Sequence, residues 1–197
     1  MGRPTTNITP IASDEQMSVA APMQMIERIV YLSGEVTELL ITQVIAGMIA
    51  LANQSKTEPI TLVVSTYGGS VDEMFSLYDI MKYIPCPVHT VGLGKVMSAG
   101  VLLLASGKKG NRLIGKNARL MIHPISGASG GNVFQVQNET KEHMRQQKLM
   151  EELLLQETKI TPAILKKLME SGYDNYILAD EAVRLGIVDK VIGNDKK

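Results

Sequence analysis

The fold can be predicted from residues 60–83, ITLVVSTYGGSVDEMFSLYDIMKY, where a run of apolar residues typical of a strand gives way to apolar residues at helical spacing. The apolar run at residues 60–65 is typical of a buried strand. The pair Gly68-Gly69 is expected to break that strand. Apolar residues then recur at helical spacing and predict a helix over residues 72–83. A buried strand followed at once by an amphipathic helix is the repeating unit of α/β folds.

The same alternation extends through the rest of the chain. Further strands are predicted at residues 29–32, 88–92, 112–114, 119–122 and 188–192. Further helices are predicted at residues 37–53, 98–106, 134–157 and 180–185, with one more beginning at Thr161. This pattern predicts an α/β fold with largely parallel strands. Residues 1–22, which are rich in Thr, Pro and Ser, are predicted to form a mobile arm before a single domain at residues 23–197.

The composition argues against several classes of function. Lys plus Arg and Asp plus Glu each number 20, so no net charge favours nucleic acid or an anionic membrane as a partner. Trp is absent and aromatic residues make up 4% of the chain, which argues against a base-stacking surface. Cys86 is the only cysteine, which excludes an intrachain disulfide. With no signal peptide or membrane-spanning run recognised, the chain is expected to be cytoplasmic.

Ser98 is the candidate nucleophile. It lies in the stretch GKVMSAG at residues 94–100, where a strand is predicted to pass into a helix. Such a junction exposes a hydroxyl beside the free N–H groups of a helix start, although a serine that only caps the helix fits the same pattern. Lys95 is an alternative base in a Ser/Lys dyad, against its more ordinary interpretation as a solvated lysine on a loop.

His123 is the candidate general base. It follows the apolar run LMI at residues 120–122, and a neutral imidazole at the end of a buried strand is able to take a proton from a hydroxyl. A histidine that simply ends a strand is the alternative. His89 is placed inside a strand and His143 in the charged middle of a long helix, so both are weaker candidates.

Three aspartates are candidates for a carboxylate that orients the imidazole and stabilises its cation. Asp174 lies in a loop after a predicted helix, in the stretch GYDNY at residues 172–176. Most loop aspartates only form turns. Spacing alone does not select Asp174 over Asp180 or Asp189.

Gly68 and Gly69 are the remaining candidates, for an oxyanion hole. Glycines at a strand-to-helix junction let the backbone approach a ligand and present its N–H groups, although a tight turn is their more ordinary interpretation. No His, Cys and acidic residues recur at metal-ligand spacing. No glycine-rich loop matches a phosphate-binding or dinucleotide-binding fingerprint. The sequence therefore predicts that the chain uses no metal and no cofactor.

In their order along the chain, these motifs resemble the Clp protease proteolytic subunit family, from about residue 28 to residue 192. The matching segments are RIVYLSGEV (28–36), GGSV (68–71), LYD (77–79), SAG (98–100), RLMIH (119–123), DNYILA (174–179), EAV (181–183) and GIVD (186–189). The resemblance implies a crotonase-like spiral of ββα units with a protruding helical handle at about residues 124–158. The glycine-rich part of that handle, near residues 126–132, is expected to be a strand.

The resemblance also implies a serine endopeptidase that cleaves unfolded polypeptides. Ser98, His123 and Asp174 would form its catalytic triad, so the resemblance selects Asp174 among the aspartates. Backbone N–H groups of Gly69 and Ala99 would form the oxyanion hole.

Members of this family assemble two seven-membered rings into a closed tetradecameric chamber, fed by an AAA+ unfoldase that consumes the ATP. The resemblance therefore implies a homo-oligomer with a polypeptide substrate. Three departures from the family pattern stand out: Tyr67 replaces a proline, Pro124 follows His123 directly, and the first 27 residues lack the usual docking segment. They keep a second hypothesis open, a catalytically weak or inactive ring subunit that assembles with active paralogues. A Ser98/Lys95 dyad and an acyl-CoA enzyme of the crotonase superfamily are further alternatives.

Overall fold

Strands and helices alternate along the chain in a computed structural model that describes residues 28–193. The strands are β1 (Ile29–Val36), β2 (Ile60–Gly69), β3 (Val88–Met97), β4 (Arg112–Gly115), β5 (Arg119–Ile122), β6 (Asn175–Leu178) and β7 (Lys190–Ile192). The helices are α1 (Glu38–Gln54), α2 (Val71–Tyr83), α3 (Ala99–Ala105), α4 (Val133–Glu157), α5 (Pro162–Glu170) and α6 (Ala179–Arg184). The predicted α/β class is confirmed.

The sheet divides at β3, and this division positions the candidate site. Strands β1, β2, β3, β4 and β7 lie side by side in that order, and all of their pairings are parallel. The first half of β3 pairs with β4, whereas its last residues, 95–97, pair with β5. Strand β5 also pairs with β6, which is antiparallel. The carboxyl ends of β2, β3 and β5 are thereby brought together.

Helix α3 lies in the centre of the core. All seven of its residues are buried, and its leucines, at positions 102–104, are at most 1% exposed. A helix that is apolar on every side is typical of a protein interior. It packs against β2 and β3, and α1 packs against β1 and α2. The residue that precedes α3, Ser98, is consequently held on a rigid support.

Three strands are longer than the sequence indicates, and the first of them, β1, was expected to end at residue 32 but continues to Val36. Strand β2 was expected to end before Gly68 but continues through Gly69, which pairs with Val36 of β1. The side chain of Thr66 is fully buried there, where its hydroxyl donates to the Gly34 carbonyl at 2.5 Å. The prediction depended on a run of apolar residues, which ends at Ser65, whereas burial continues to alternate along β2 as far as Gly69. Strand β3 likewise extends to Met97, so the prediction that Lys95 lies on a loop is wrong.

Two further differences concern the second half of the chain. Strand β6 was not predicted, because its four residues alternate weakly in polarity. The expected strand near residues 126–132 is absent, and residues 123–130 have no regular secondary structure. Helix α4 begins at the predicted place because Asn132 and Gln135 form a capping box.

The carboxyl end of α4 is fixed by a buried carboxylate. Glu157 is 5% exposed, and its Oε1 accepts a hydrogen bond from the Tyr78 hydroxyl at 2.8 Å. The Lys82 ammonium lies 2.8 Å from the same oxygen. Burial and the neighbouring Glu157 carboxylate raise the pKa of Tyr78, so the phenol stays protonated. These contacts join α4 to α2.

Arg112 and Asp189 form a second buried connection, between β4 and the turn before β7. Arg112 Nη2 lies 2.7 Å from Asp189 Oδ1, and Oδ2 also accepts from the Gly110 and Arg112 backbone N–H groups. Burial opposes ionisation of Asp189 by raising the pKa. The hydrogen bonds and charge of Arg112 outweigh burial, and the pKa of Asp189 is held below its ordinary value.

We expect Asp189→Asn to lower the free energy of unfolding by about 3 kcal/mol at neutral pH, because the buried Arg112 charge loses its partner. Chemical denaturation measures this difference, and Asp79→Asn, at an exposed position of α2, is the matched control. Because the folded pKa of Asp189 lies below the unfolded value, its stabilisation is present above that value and is lost as the pH falls through the folded one. The gap between wild type and variant should therefore close below about pH 4, and a gap that persists would contradict this account.

Several expectations concern other parts of the chain. The predicted arm at residues 1–22 lies outside the described residues, and the boundary of the single domain stays a prediction. Cys86 is buried where the chain enters β3. None of the helices within residues 28–193 combines the length and the apolar character that crossing a membrane requires.

Candidate active site

Ser98 has a strained backbone at the junction of β3 and α3. Its φ of 53° and ψ of −122° are unusual for a residue other than glycine. The N–H group of Ser98 donates to the Met121 carbonyl at 2.8 Å, and its carbonyl accepts from Val101 at 2.9 Å. Ser98 occupies the N-cap position, yet its side chain does not cap the helix. Strain of this kind is found where a side chain must point in one particular direction.

The Ser98 hydroxyl points to His123. His123 Nε2 lies 2.8 Å from Ser98 Oγ, which is hydrogen-bonding distance. The parallel pairing of Met97 with Met121 explains this contact, because Ser98 lies one residue after Met97 and His123 two residues after Met121. Both side chains are half-buried. An imidazole at this distance is able to accept the hydroxyl proton as the oxygen attacks an electrophile.

Asp174 and His123 adjoin the same end of the β5–β6 ladder, but no hydrogen bond joins their side chains. The last pair of that ladder is Ile122 with Asn175, which His123 follows on one strand and Asp174 precedes on the other. Asp174 is exposed, and within residues 28–193 its carboxylate has no hydrogen-bond partner. The sequence-predicted residues thus divide into a contacting pair, Ser98 and His123, and a neighbouring carboxylate.

Asn175, which was not predicted as a site residue, fixes the loop before Asp174. Its amide Nδ2 lies 2.8 Å from the Leu168 carbonyl, and 2.9 Å from both Ser171 Oγ and the Tyr173 carbonyl. An amide that reaches one acceptor in the last turns of α5 and two in the loop after it restricts the position of the adjacent residue, Asp174. The stretch SGYDN, rich in turn-forming residues, was the available signal.

The other candidates are placed elsewhere. Asp189 is committed to Arg112. Asp180 is exposed in the first turn of α6. His89 lies within β3, and His143 lies on α4 with its ring against the backbone of Gly127. Ser98 therefore has one imidazole within reach, that of His123.

Lys95 has a different neighbour from the one that a Ser/Lys dyad requires. Its Nζ lies 5.0 Å from the centre of the Tyr67 ring, a cation–π geometry. No hydrogen bond joins Lys95 to Ser98 in the described part of the chain. Tyr67 is 68% exposed, so the pair lies at the surface beside Gly68.

If the protein hydrolyses peptides, Lys95→Ala should keep kcat/KM within about threefold of wild type, because Lys95 does not contact the nucleophile. His123→Ala should abolish turnover in the same assay with a short fluorogenic peptide. The reverse result, a loss with Lys95→Ala and retention with His123→Ala, would establish the dyad instead.

Gly68 brings the backbone of β2 against the nucleophile, whereas Gly69 lies against the backbone of Val36 in β1. A Cβ at Gly68 would lie 2.7 Å from Ser98 Cβ, which is closer than van der Waals contact allows. The backbone φ of Gly68 is 100°, a value that favours glycine. Ser70, not Gly69, donates its N–H to the Val36 carbonyl at 2.8 Å. Alternation along a strand therefore turns the Gly69 N–H away from β1. Ala99 is the first residue of α3, and its N–H has no acceptor within the helix.

A groove of about 310 Å³ begins at Gly69. Residues 69–72 form one wall, and Ile125 and Ser126 from the segment after His123 form the other. Helix α4 closes one side with polar residues that include Glu139 and His143. Ser98 and His123 do not line this groove; Gly69, which does, directly follows Gly68, the glycine that approaches Ser98. Within residues 28–193, no three or more His, Cys, Asp or Glu side chains are grouped to hold a metal ion.

A serine hydroxyl in contact with an imidazole, at the carboxyl ends of two parallel strands, is characteristic of hydrolases that use an activated serine. A sequence model described as Clp protease matches residues 13–195, nearly the whole chain. The protein therefore belongs to the Clp protease family, and the resemblance to its proteolytic subunit is confirmed.

Proposed function

We propose that this protein is a serine endopeptidase, the proteolytic subunit of a Clp-type protease that hydrolyses peptide bonds of unfolded polypeptides. The observation that carries this proposal is the 2.8 Å distance between His123 Nε2 and Ser98 Oγ. Family membership supports the peptidase class. The strained backbone of Ser98 supports a nucleophile, because a serine with only a structural role would have no need of it.

In the proposed reaction, Ser98 Oγ attacks the carbonyl carbon of the peptide while His123 Nε2 takes the hydroxyl proton. The resulting oxyanion is stabilised by the N–H groups of Gly69 and Ala99. The imidazolium of His123 returns the proton to the leaving amine, and an acyl-enzyme remains. Water, activated by His123, then hydrolyses the ester and regenerates Ser98. None of these steps calls for a metal or cofactor.

Asp174 is proposed to orient His123 from the other side. Its position next to the last β5–β6 pair supports this role, because a carboxylate beside the imidazole would fix the tautomer in which Nε2 accepts the proton. A rotation of the exposed Asp174 side chain would complete the triad.

The groove between residues 69–72 and Ile125 is the proposed path of the polypeptide. One wall contains Gly69 at the end of β2, where an extended chain is able to lie along exposed backbone. A polypeptide that lies there and continues past Gly68 would bring one carbonyl to Ser98 Oγ. This arrangement supports an endopeptidase.

A homo-oligomeric chamber is proposed from the family, which is generally oligomeric. Helix α4 supports it as the protruding handle, because 25 residues form one helix and several large apolar side chains on it are exposed. These side chains are Val133, Phe134, Met144 and Leu149. Helices that pack against another copy present such side chains. The proposed assembly consists of stacked seven-membered rings, and each subunit has a crotonase-like spiral fold. The proposed partner is an AAA+ unfoldase, which uses the ATP.

A catalytically weak ring subunit is the second candidate. The observation that favours it is the absence of a hydrogen bond between Asp174 and His123 in the described residues. Such a subunit would assemble with active paralogues and turn over substrate slowly by itself.

Peptidase activity and native mass, measured on the same purified protein, separate these candidates. An active homo-oligomer that cleaves a short fluorogenic peptide supports the main proposal. An inactive protein that gains activity only with a paralogue supports the second. A stable, inactive monomer refutes the chamber. Addition of candidate AAA+ unfoldases with ATP and a folded substrate tests the partnership separately.

A further inference from the structure

Helix α4 carries a stripe of polar side chains under the segment that follows His123. Glu139, His143, Gln147 and Glu151 recur at every fourth position and therefore share one side of the helix. The segment above them, residues 123–130, has no regular secondary structure. Side chains of α4 make hydrogen bonds to backbone groups of this segment that no strand or helix pairs.

Gln147 makes the shortest of these contacts. The Ile125 N–H donates to Gln147 Oε1 at 2.7 Å, and Gln147 Nε2 donates to Glu151 Oε1 at 2.6 Å. Farther along, the Gly130 N–H donates to Glu139 Oε2 at 3.2 Å. Only an amide satisfies both neighbours of Gln147, because Ile125 offers a donor and the Glu151 carboxylate offers an acceptor.

His123 is held close to this contact. Strand β5 ends at Ile122, so only His123 and Pro124 separate the sheet from the Ile125–Gln147 hydrogen bond. Pro124 has a fixed φ and restricts the residue before it to extended backbone. The imidazole is thus attached to a short backbone link that is fixed at both ends.

We propose that Gln147, oriented by Glu151, is a positioning residue for His123. This inference rests on the proposed function, and it adds a residue outside the triad and the oxyanion hole. Loss of the Gln147 contact frees Ile125 and lets the His123 backbone move. A displacement of about 1 Å between reacting groups reduces catalysis by up to about 100-fold.

The test compares full-length variants with a short fluorogenic peptide. Gln147→Leu should lower kcat about tenfold with a smaller effect on KM, because the proton acceptor is misplaced while most of the groove remains. Gln147→Glu should do the same, because it places a second carboxylate against Glu151. Combining Gln147→Glu with Glu151→Gln restores a donor–acceptor pair and should recover most of kcat. Gln156→Leu, the same change at an exposed position of α4, is the matched control.

Hydrogen exchange provides a readout that does not need activity. The Ile125 amide should exchange faster in Gln147→Leu than in wild type and should be unchanged in Gln156→Leu. A wild-type kcat for Gln147→Leu, or a double variant no more active than Gln147→Glu, overturns the positioning role. Absence of Ser98-dependent turnover in the wild-type protein refutes the proposed function instead, and the exchange rate of Ile125 then still decides whether Gln147 holds this segment.

Discussion

Ser98→Ala is expected to lower kcat for a short peptide by about 10⁴-fold or more while leaving the protein folded. The reason is the geometry at the end of β3, where the Ser98 hydroxyl contacts His123 and no helix N–H depends on it. Alanine keeps the backbone and removes only the attacking oxygen. Steady-state hydrolysis of the peptide, together with the thermal midpoint of unfolding, measures both parts of the prediction.

The matched control is Ser76→Ala, which makes the same change at an exposed position of α2 and should leave kcat unchanged. His123→Ala should cost about as much as Ser98→Ala, and the double variant should be little worse than either, because the two groups act as one unit. Full additivity of the two losses would indicate that they do not act together. Equal activity of Ser98→Ala and wild type would mean that another residue carries the reaction.

Gly68→Ala is expected to lower kcat/KM by about 100-fold or more, although residue 68 contributes no side chain to the reaction. Its new Cβ would lie 2.7 Å from Ser98 Cβ and 3.1 Å from Ser98 Oγ. The φ of 100° also disfavours any residue with a side chain. Because the N–H and the carbonyl of Ser98 are both hydrogen-bonded, its backbone is unable to move away freely. The collision should therefore displace the Ser98 hydroxyl from His123.

Gly110→Ala separates strain from collision. Gly110 also has a positive φ, of 92°, but a Cβ there would meet no atom within 4 Å. It should therefore reduce stability slightly and leave kcat/KM unchanged. If Gly68→Ala retained wild-type activity, the close approach of this backbone to Ser98 would not matter for the reaction.

Burial patterns explain which elements the sequence predicts. Helix α3 and strand β5 were predicted within one or two residues, because their apolar residues are continuous and buried. The ends of β2 and β3 were not, since Thr66, Gly68 and Lys95 break the apolar pattern while the backbone ladder continues. A ladder depends on the neighbouring strand, which local periodicity does not reveal.

The candidate site was predictable only in part for the same reason. Ser98 and His123 are 25 residues apart, and the β3–β5 register, which no spacing rule provides, brings them into contact. Asp174 was selected by the order of the motifs and not by its own surroundings. Gln147 had no sequence signal at all, because a glutamine on a polar helix face is ordinary until its partner Ile125 is placed above it.

Covalent labelling of Ser98 tests the central claim most directly. A small fluorophosphonate reacts with a serine whose hydroxyl is activated by an adjacent base. Mass spectrometry of the tryptic peptide Val96–Lys108 would locate the adduct and distinguish Ser98 from Ser106, the other serine in that peptide. We predict one adduct, on Ser98, in the wild-type protein and none in His123→Ala. No adduct on Ser98, or an equal rate of labelling without His123, would contradict the account.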